Sequence, residues 1–180
     1  RLWIILLSGI TFITIFIISV NYNLSNLFGG MPSLQDLEKP ESELSSELYS
    51  SDNVLLGKYF RYNRSPVKFD KLSDELVTTL LVTEDIRFYD HSGIDLKGLV
   101  RATYGVIKNI ATFGSSGLEG GGSTITQQLA KNLFKIRKEK KGELSNVPFL
   151  GLVISKVKEW IVAVKLEEVY TKKEILEMYL

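Results

Sequence analysis

The sequence has 180 residues, of which 44% are hydrophobic, and its 22 basic and 21 acidic side chains nearly cancel. That length accommodates one domain with a hydrophobic core and an additional segment. A net charge of +1 argues against general nucleic-acid binding, which usually requires a strongly basic domain. The chain has no cysteine and a single histidine, His91, which excludes disulfides, thiolate metal sites, cysteine catalysis and a multi-histidine metal centre.

The first segment, Leu2 to Val20, carries no charge and consists mainly of Ile, Leu, Phe and Val. About 20 apolar residues suffice for a helix to cross a bilayer, so we predict a transmembrane anchor over residues 1–22. A signal peptide has a shorter apolar region and a small-residue cleavage site, and a buried core helix is the other alternative. Arg1 precedes the segment and the next basic residue is Lys39, which places the rest of the chain outside the cytoplasm by the positive-inside rule.

Residues 23–71 are predicted to form a tether and a small β-hairpin. The tether is rich in Ser, Asn and Gly, with a short helical piece around Ser33–Glu38. Residues 47–50 and 54–62 alternate polar and apolar side chains around Ser51-Asp52-Asn53, which is typical of a hairpin.

Residues 72–180 are predicted to be one mainly helical domain, cut at its C-terminal end. Leu76, Leu80 and Glu84 recur at helical spacing, and an apolar face from Leu96 to Ile110 follows Asp95. A glycine-rich loop over 112–122 leads to a third helix at Thr124. A long helix over 152–169 and a fifth helix near Lys172 complete the domain, and capping-box patterns open the third and fifth helices.

The first candidate for chemistry is Glu84, which continues the apolar stripe of its helix. A carboxylate there lies at the edge of the core or in a cleft, where desolvation would favour a general base. The alternative is that Glu84 and Asp85 end a helix in an ion-pair cluster with Arg87.

The second candidate is the run from Gly120 to Asn132. Glycines before a helix start let the backbone approach a ligand, and the helix N-terminus favours anions, so a phosphate or diphosphate fits here. It is not a nucleotide P-loop, because Ser123 stands where that motif requires Lys. The alternative is a flexible loop followed by an ordinary helix cap. The basic block 131–141 likewise suits phosphates, an anionic membrane surface or a solvated helix end.

The third candidate is Lys156-Val157-Lys158-Glu159-Trp160 on the long helix. Glu159 lies beside an apolar face, where a second carboxylate would be a partner for Glu84. Glu159 and Lys156 also fit a plain surface pair.

Together these segments resemble the glycosyltransferase domain of class A penicillin-binding proteins and monofunctional peptidoglycan glycosyltransferases, glycosyltransferase family 51. The family's E-D-x-x-F-x-x-H-x-G motif is matched at 84–93, and G-G-S-T-I-T-Q-Q-L-A-K-N is matched without a gap at 121–132. R-K-x-x-E is matched by Lys156 and Glu159, with Ser155 in place of the usual Arg, and a fourth motif begins over 173–180.

The resemblance implies a lysozyme-like fold and an inverting transfer between two lipid II molecules, with polyprenyl diphosphate as the leaving group. It implies two catalytic residues, Glu84 as the general base and Glu159 at the donor diphosphate. His91 is expected to be a structural hydrogen-bonding residue within its motif. The residues expected to bind or position substrate are Asp85, Phe88, His91, Ser123, Thr124, Gln127, Gln128, Lys131, Asn132 and Lys156.

The resemblance also implies Mg²⁺ or Mn²⁺ bridging the donor diphosphate, and no organic cofactor. The expected partners are lipid II, the growing glycan strand, the membrane and other cell-wall synthesis or division proteins. The expected location is the inner membrane, with a single span and the catalytic domain on the periplasmic side. The long tether and hairpin favour the bifunctional class, by analogy. The rival functions are a lytic transglycosylase and an anchored scaffold that binds lipid II without turning it over.

Overall fold

The computed structural model describes residues 1–33, 36–37, 46–59, 67–112, 121–134 and 142–180, and within them the protein is mainly helical. Two short strands, β1 Ser46–Tyr49 and β2 Leu55–Tyr59, form an antiparallel hairpin. The α-helices are α1 Leu2–Asn21, α2 Asp74–Glu84, α3 Leu96–Ala111, α4 Ile125–Leu133, α5 Pro148–Val169 and α6 Lys172–Tyr179.

Helix α1 has the length and composition to cross a membrane, with a mean hydropathy of 2.5 over its most apolar window. Its hydroxyl groups do not oppose this, because each bonds back to a carbonyl of the preceding turn. Thr11 donates to the Leu7 carbonyl at 2.8 Å and Ser19 to the Ile15 carbonyl at 2.8 Å. Most of α1 is exposed, and protein covers it only near its C-terminal end, where Phe16 is half-buried and Val20 is buried.

The chain after α1 is packed against α5, which differs from the free tether that its composition predicts. Val20 and Phe28 form a small core with Ile154 and Val157 of α5. The ammonium group of Lys158 donates to the Gly29 carbonyl at 2.8 Å. Apolar residues between the polar ones therefore fix this segment to the domain.

The hairpin follows the sequence prediction closely. Ser46 pairs with Tyr59 and Leu48 with Gly57, and a bulge follows Leu48. Asn53 adopts a positive φ of 61° in the turn, a conformation that Asn tolerates well. Residues 60–62 of the predicted second strand, and 38–45 of the tether, lie outside the described residues.

The main core lies where α2, α4, α5 and α6 meet. It contains Ile125 and Leu129 of α4, Val162 and Leu166 of α5, and Ile175 of α6, all almost fully buried. Helix α2 contributes a half-buried face rather than a buried one. That face is Val77, Leu80 and Leu81, whereas Leu76 of the predicted stripe is 46% exposed.

Helix ends are fixed by the caps that the sequence predicts, with one exception. Thr171 and Glu174 form a reciprocal capping box at α6. Thr124 caps α4 by accepting from the Gln127 amide, but the Gln127 side chain does not complete a box, because it donates to the Gly93 carbonyl instead. Helix α5 begins at Pro148, four residues earlier than predicted, since Pro is favoured in a first helical turn.

Candidate active site

Glu84 is the last residue of α2, and its side chain is exposed. The expected desolvation of this carboxylate is therefore wrong: the helix ends here, and the apolar stripe stops before Glu84. The carboxylate is nevertheless held in place, because Gln128 of α4 donates to its Oε2 atom at 2.7 Å. Tyr179 donates to the Gln128 side-chain oxygen at 3.0 Å, so a chain of two hydrogen bonds orients Glu84.

Tyr179 was not among the candidates predicted from the motifs, although it lies in the matched fourth motif. Burial and the charge of Glu84 raise its pKa, which keeps the phenol protonated and able to donate. The only sequence signal for Tyr179 was its position in the fourth motif. The local pattern of residues does not indicate that a side chain of α6 reaches the end of α2.

A small open cleft lies between the end of α2 and the start of α4. Its walls combine the end of α2, the first turns of α3 and the glycine-led segment before α4. The lining residues are Glu84, Asp85, Ile86, Arg87, Asp95, Gly98, Arg101, Gly121, Gly122, Ser123 and Thr124. The first and second matched motifs therefore face one cleft, as the resemblance implies.

Beside this cleft, the third motif supplies a cation next to Ser123. Lys156 of α5 donates to the Ser123 hydroxyl at 2.6 Å and to Glu159 Oε2 at 3.1 Å. Glu159 is 2% exposed, whereas Lys156 is half-buried. The buried carboxylate of the site is thus Glu159 rather than Glu84, and a buried carboxylate needs paired cations and donors of this kind.

The buried side chain of Asp85 links the first motif to the start of α4 through a hydrogen bond. Its Oδ2 atom accepts from the Ile125 amide at 3.1 Å and lies 3.1 Å from His91 Nε2. The side chains of Asp85 and His91 are 4% and 7% exposed. His91 therefore forms a hydrogen bond with Asp85, and its part in positioning substrate stays a prediction.

The predicted anion site at the N-terminus of α4 is occupied by Asp85. Its carboxylate accepts a hydrogen bond from the Ile125 amide, and the Thr124 hydroxyl accepts one from the Gln127 amide at 3.2 Å. Both groups satisfy helix-start donors that would otherwise face a ligand. These two amides are therefore engaged within the protein, and the positive groups near the cleft are side chains.

The remaining residues predicted from the second motif divide into buried and accessible sets. Thr124, Thr126 and Gln127 are buried, with Thr124 and Gln127 both donating to the Gly93 carbonyl. Ser123, Gln128 and Lys131 are half-buried and Asn132 is exposed. Lys131 and Asn132 do not line the cleft within the described residues, so their contact with a substrate stays a prediction.

Phe88 is 1% exposed and packs in the main core. The ammonium of Lys172 lies 4.2 Å from the centre of its ring and donates to the His91 carbonyl and to Glu167, each at 2.7 Å. Phe88 therefore helps to build the site, with no contact to the cleft. Like Tyr179, Lys172 and Glu167 were not predicted from the sequence, because their positions resemble ordinary helix ends.

The described residues contain no group of three or more His, Asp or Glu side chains suited to a metal ion. Near the predicted diphosphate position, the Glu159 carboxylate lies against the Lys156 ammonium, which fits a side-chain cation better than a protein-held metal. The Mg²⁺ or Mn²⁺ expected from the resemblance stays a prediction.

The sequence profile of the transglycosylase family matches residues 52–180. The chain belongs to the transglycosylase family. The match includes the hairpin from Asp52 onwards and all the residues of the cleft.

The curated relatives are penicillin-binding proteins. The chain is 35% identical over 150 residues to penicillin-binding protein 1A of Escherichia coli, which is 83% of this chain and 16% of that protein. It is 37% identical over 142 residues to penicillin-binding protein 1A of Haemophilus influenzae, which is 79% of this chain and 14% of that protein. It is 35% identical over 136 residues to penicillin-binding protein 1F of Bacillus subtilis, 76% of this chain and 16% of that protein. The chain spans about a sixth of the length of these relatives.

Proposed function

We propose that this chain carries the peptidoglycan glycosyltransferase site of a membrane-anchored enzyme that polymerises lipid II into glycan strands. The observation that carries the proposal is the placement of Glu84. It is an accessible carboxylate, fixed by Gln128, in a cleft that Ser123 also lines, and Lys156 beside the cleft donates to Ser123. A proton acceptor in the cleft and a cation beside it suit transfer of a sugar from a diphosphate.

In this proposal Glu84 takes the proton from the 4-hydroxyl of the acceptor sugar. The hydroxyl oxygen then attacks the anomeric carbon of the donor from the face opposite the leaving diphosphate, which inverts that carbon. An exposed carboxylate at the mouth of a cleft is reachable by an acceptor, and its hydrogen bond to Gln128 holds one oxygen still while the other remains available. Positioned general bases contribute about 10²–10⁴-fold to rate.

The leaving polyprenyl diphosphate gains negative charge as its bond to the sugar breaks. Lys156 is the cation closest to Ser123, and Glu159 holds it at 3.1 Å. Asp85 occupies the start of α4, so the helix-start amide that it accepts from does not stabilise this charge. In this proposal Lys156 stabilises it, together with Lys131, which belongs to the same motif as Ser123. A divalent cation would also stabilise the charge on the leaving diphosphate. If polymerisation in EDTA is as fast as with Mg²⁺, the lysines alone stabilise that charge.

Both substrates of such a reaction are lipids, which gives α1 a role. A single span over Leu2–Asn21 would hold the cleft beside the bilayer that contains them. We propose that the protein lies in the inner membrane. Arg1 marks the cytoplasmic end of the span, and the catalytic domain lies on the periplasmic side.

Incubation of the full-length protein with fluorescent lipid II separates this function from its rivals. Formation of glycan polymer supports the proposal. Loss of pre-made glycan without polymer formation would point to a lytic transglycosylase, and saturable binding without turnover would point to a scaffold.

A further inference from the structure

The charged groups that line the cleft have partners, with one exception. Arg87 donates to Asp95 through Nε at 3.0 Å and through Nη2, Asp85 pairs with His91, and Glu84 accepts from Gln128. Arg101 is exposed, and no ion pair or hydrogen bond joins it to any residue that the structure describes. A cation without a protein partner inside a cleft is suited to an anionic ligand.

The position of Arg101 is fixed by the close approach of α3 to the rest of the cleft. Gly98 is buried, and a side chain there would collide with the Asp95 carboxylate. One turn later, a Cβ atom on Gly122 would lie 3.0 Å from the Cβ atom of Ala102. Helix α3 therefore contacts the glycine-led segment at Ala102, and the neighbouring Arg101 lines the cleft together with Ser123.

Two other cations of α3 provide an internal comparison. Lys97 and Lys108 are exposed like Arg101, yet neither lines the cleft as the structure describes it. The three residues carry the same charge on the same helix. What distinguishes Arg101 is that it lines the same cleft as Glu84 and Ser123.

We propose that Arg101 binds an oxyanion of the acceptor substrate, a phosphate or a carboxylate, and so sets the acceptor hydroxyl against Glu84. This rests on the function proposed above. A guanidinium group presents paired donors that match either oxyanion, and it remains charged at every working pH. The acceptor is the substrate concerned because Arg101 lines the cleft together with the base, Glu84, whereas Lys156, proposed for the donor diphosphate, does not line it.

The test is lipid II polymerisation by the full-length protein carrying Arg101→Ala or Arg101→Lys, with Lys97→Ala and Lys108→Ala as matched controls. We expect Arg101→Ala to raise KM for lipid II by about tenfold or more, the scale of a lost charge-assisted hydrogen bond, with kcat changed by less than about twofold. Arg101→Lys should lie between wild type and Arg101→Ala, and both lysine variants should match wild type. Melting curves should be unchanged, because Arg101 is exposed.

A lipid II analogue in which every carboxylate is an amide identifies the oxyanion. If the tenfold effect persists with this analogue, Arg101 binds phosphate, and if it disappears, Arg101 binds a carboxylate. An unchanged KM in Arg101→Ala overturns the inference, as does a loss confined to kcat with a displaced pH profile, which would mean that Arg101 acts on Glu84. Wild-type protein without turnover would contradict the proposed function instead.

Discussion

At the scale of single residues, the site depends on the difference between two carboxylates. Glu84 is exposed and held by one amide, whereas Glu159 is 2% exposed and paired with Lys156. An exposed carboxylate has one oxygen free to accept a proton, and a buried, paired carboxylate is engaged in holding its cation. In the proposed mechanism, this difference favours Glu84 for proton transfer and Glu159 for holding Lys156.

We expect Glu84→Gln to reduce polymerisation by about 10²–10⁴-fold, since the amide cannot accept the proton. The fold should be retained, because the side chain is exposed and an amide can still accept from Gln128. Turnover of fluorescent lipid II, with Glu75→Gln on the same helix as control, measures the effect. Wild-type rates in Glu84→Gln would show that another group is the base.

Tyr179→Phe tests whether the second hydrogen bond of the chain positions Glu84. Loss of the hydroxyl leaves the Gln128 amide free to turn, and such a bond contributes about 0.5–1.5 kcal/mol. We expect kcat to fall about three- to tenfold with KM unchanged. Tyr104→Phe, at an exposed tyrosine of α3, is the control. A rise in KM alone would make Tyr179 a binding residue.

At the scale of elements, the sequence predicted which segments are helical better than it predicted what they face. The periodicity of 96–110 correctly predicted α3, but Val100 is 70% and Ile110 71% exposed, because α3 rests on the domain through Gly98 and Ala102 instead. The small residues Gly98 and Ala102, which let α3 approach the rest of the domain, are a less obvious sequence signal than its apolar periodicity. Thr124 and Gln127 were expected to bind or position substrate, but both are buried and donate to the Gly93 carbonyl instead.

Gly93 shows why part of the site was beyond prediction from sequence alone. Its φ of 87° suits glycine, and a Cβ atom there would lie 2.8 Å from the Ala163 carbonyl carbon. The motif match identified the position, but no local pattern indicates that it packs against α5, some 70 residues later. The matched motifs placed Glu84 and Ser123 in one cleft, whereas contacts between distant elements decided which residues are buried.

The start of α3 provides a prediction about pH. Asp95 caps the helix through the Gly98 amide, and its hydrogen bonds from Arg87 lower the pKa of its carboxyl group. A pKa lower in the folded than in the unfolded state adds stability above the unfolded value and loses it as the pH falls through the folded value. Asp95→Asn keeps a capping oxygen but removes the charge.

We therefore expect Asp95→Asn to lower Tm at pH 7, with the difference from wild type shrinking below about pH 4, the ordinary pKa of Asp. Thermal unfolding between pH 7 and pH 3 measures this, and Asp70→Asn, at an exposed position, is the control. A difference in Tm that does not change with pH would mean that the charge of Asp95 does not contribute to stability.

At the scale of the whole molecule, the end of α1 is packed against α5. Val20, at the end of α1, is fully buried against α5, and Lys165 of α5 donates to Asn21 at 3.1 Å. Lys158, also on α5, is 2% exposed and donates to the Gly29 carbonyl. It lies next to Glu159 in the sequence, so the residue that holds the segment after α1 adjoins the residue that holds Lys156.

Lys158→Met tests this connection, because Met preserves the apolar stem while removing the ammonium group. The Gly29 and Gly30 carbonyls would each lose a donor, and a buried group left unpaired costs about 1–3 kcal/mol. We expect amide exchange in residues 27–33 to accelerate on the order of tenfold or more, with a smaller acceleration over 154–162. Hydrogen–deuterium exchange of the full-length protein in detergent measures both, with Lys68→Met, an exposed position, as control. Unchanged exchange over 27–33 would mean that the apolar contacts of Phe28 alone hold the segment, and that Lys158 does not couple the anchor to the helix that carries Glu159.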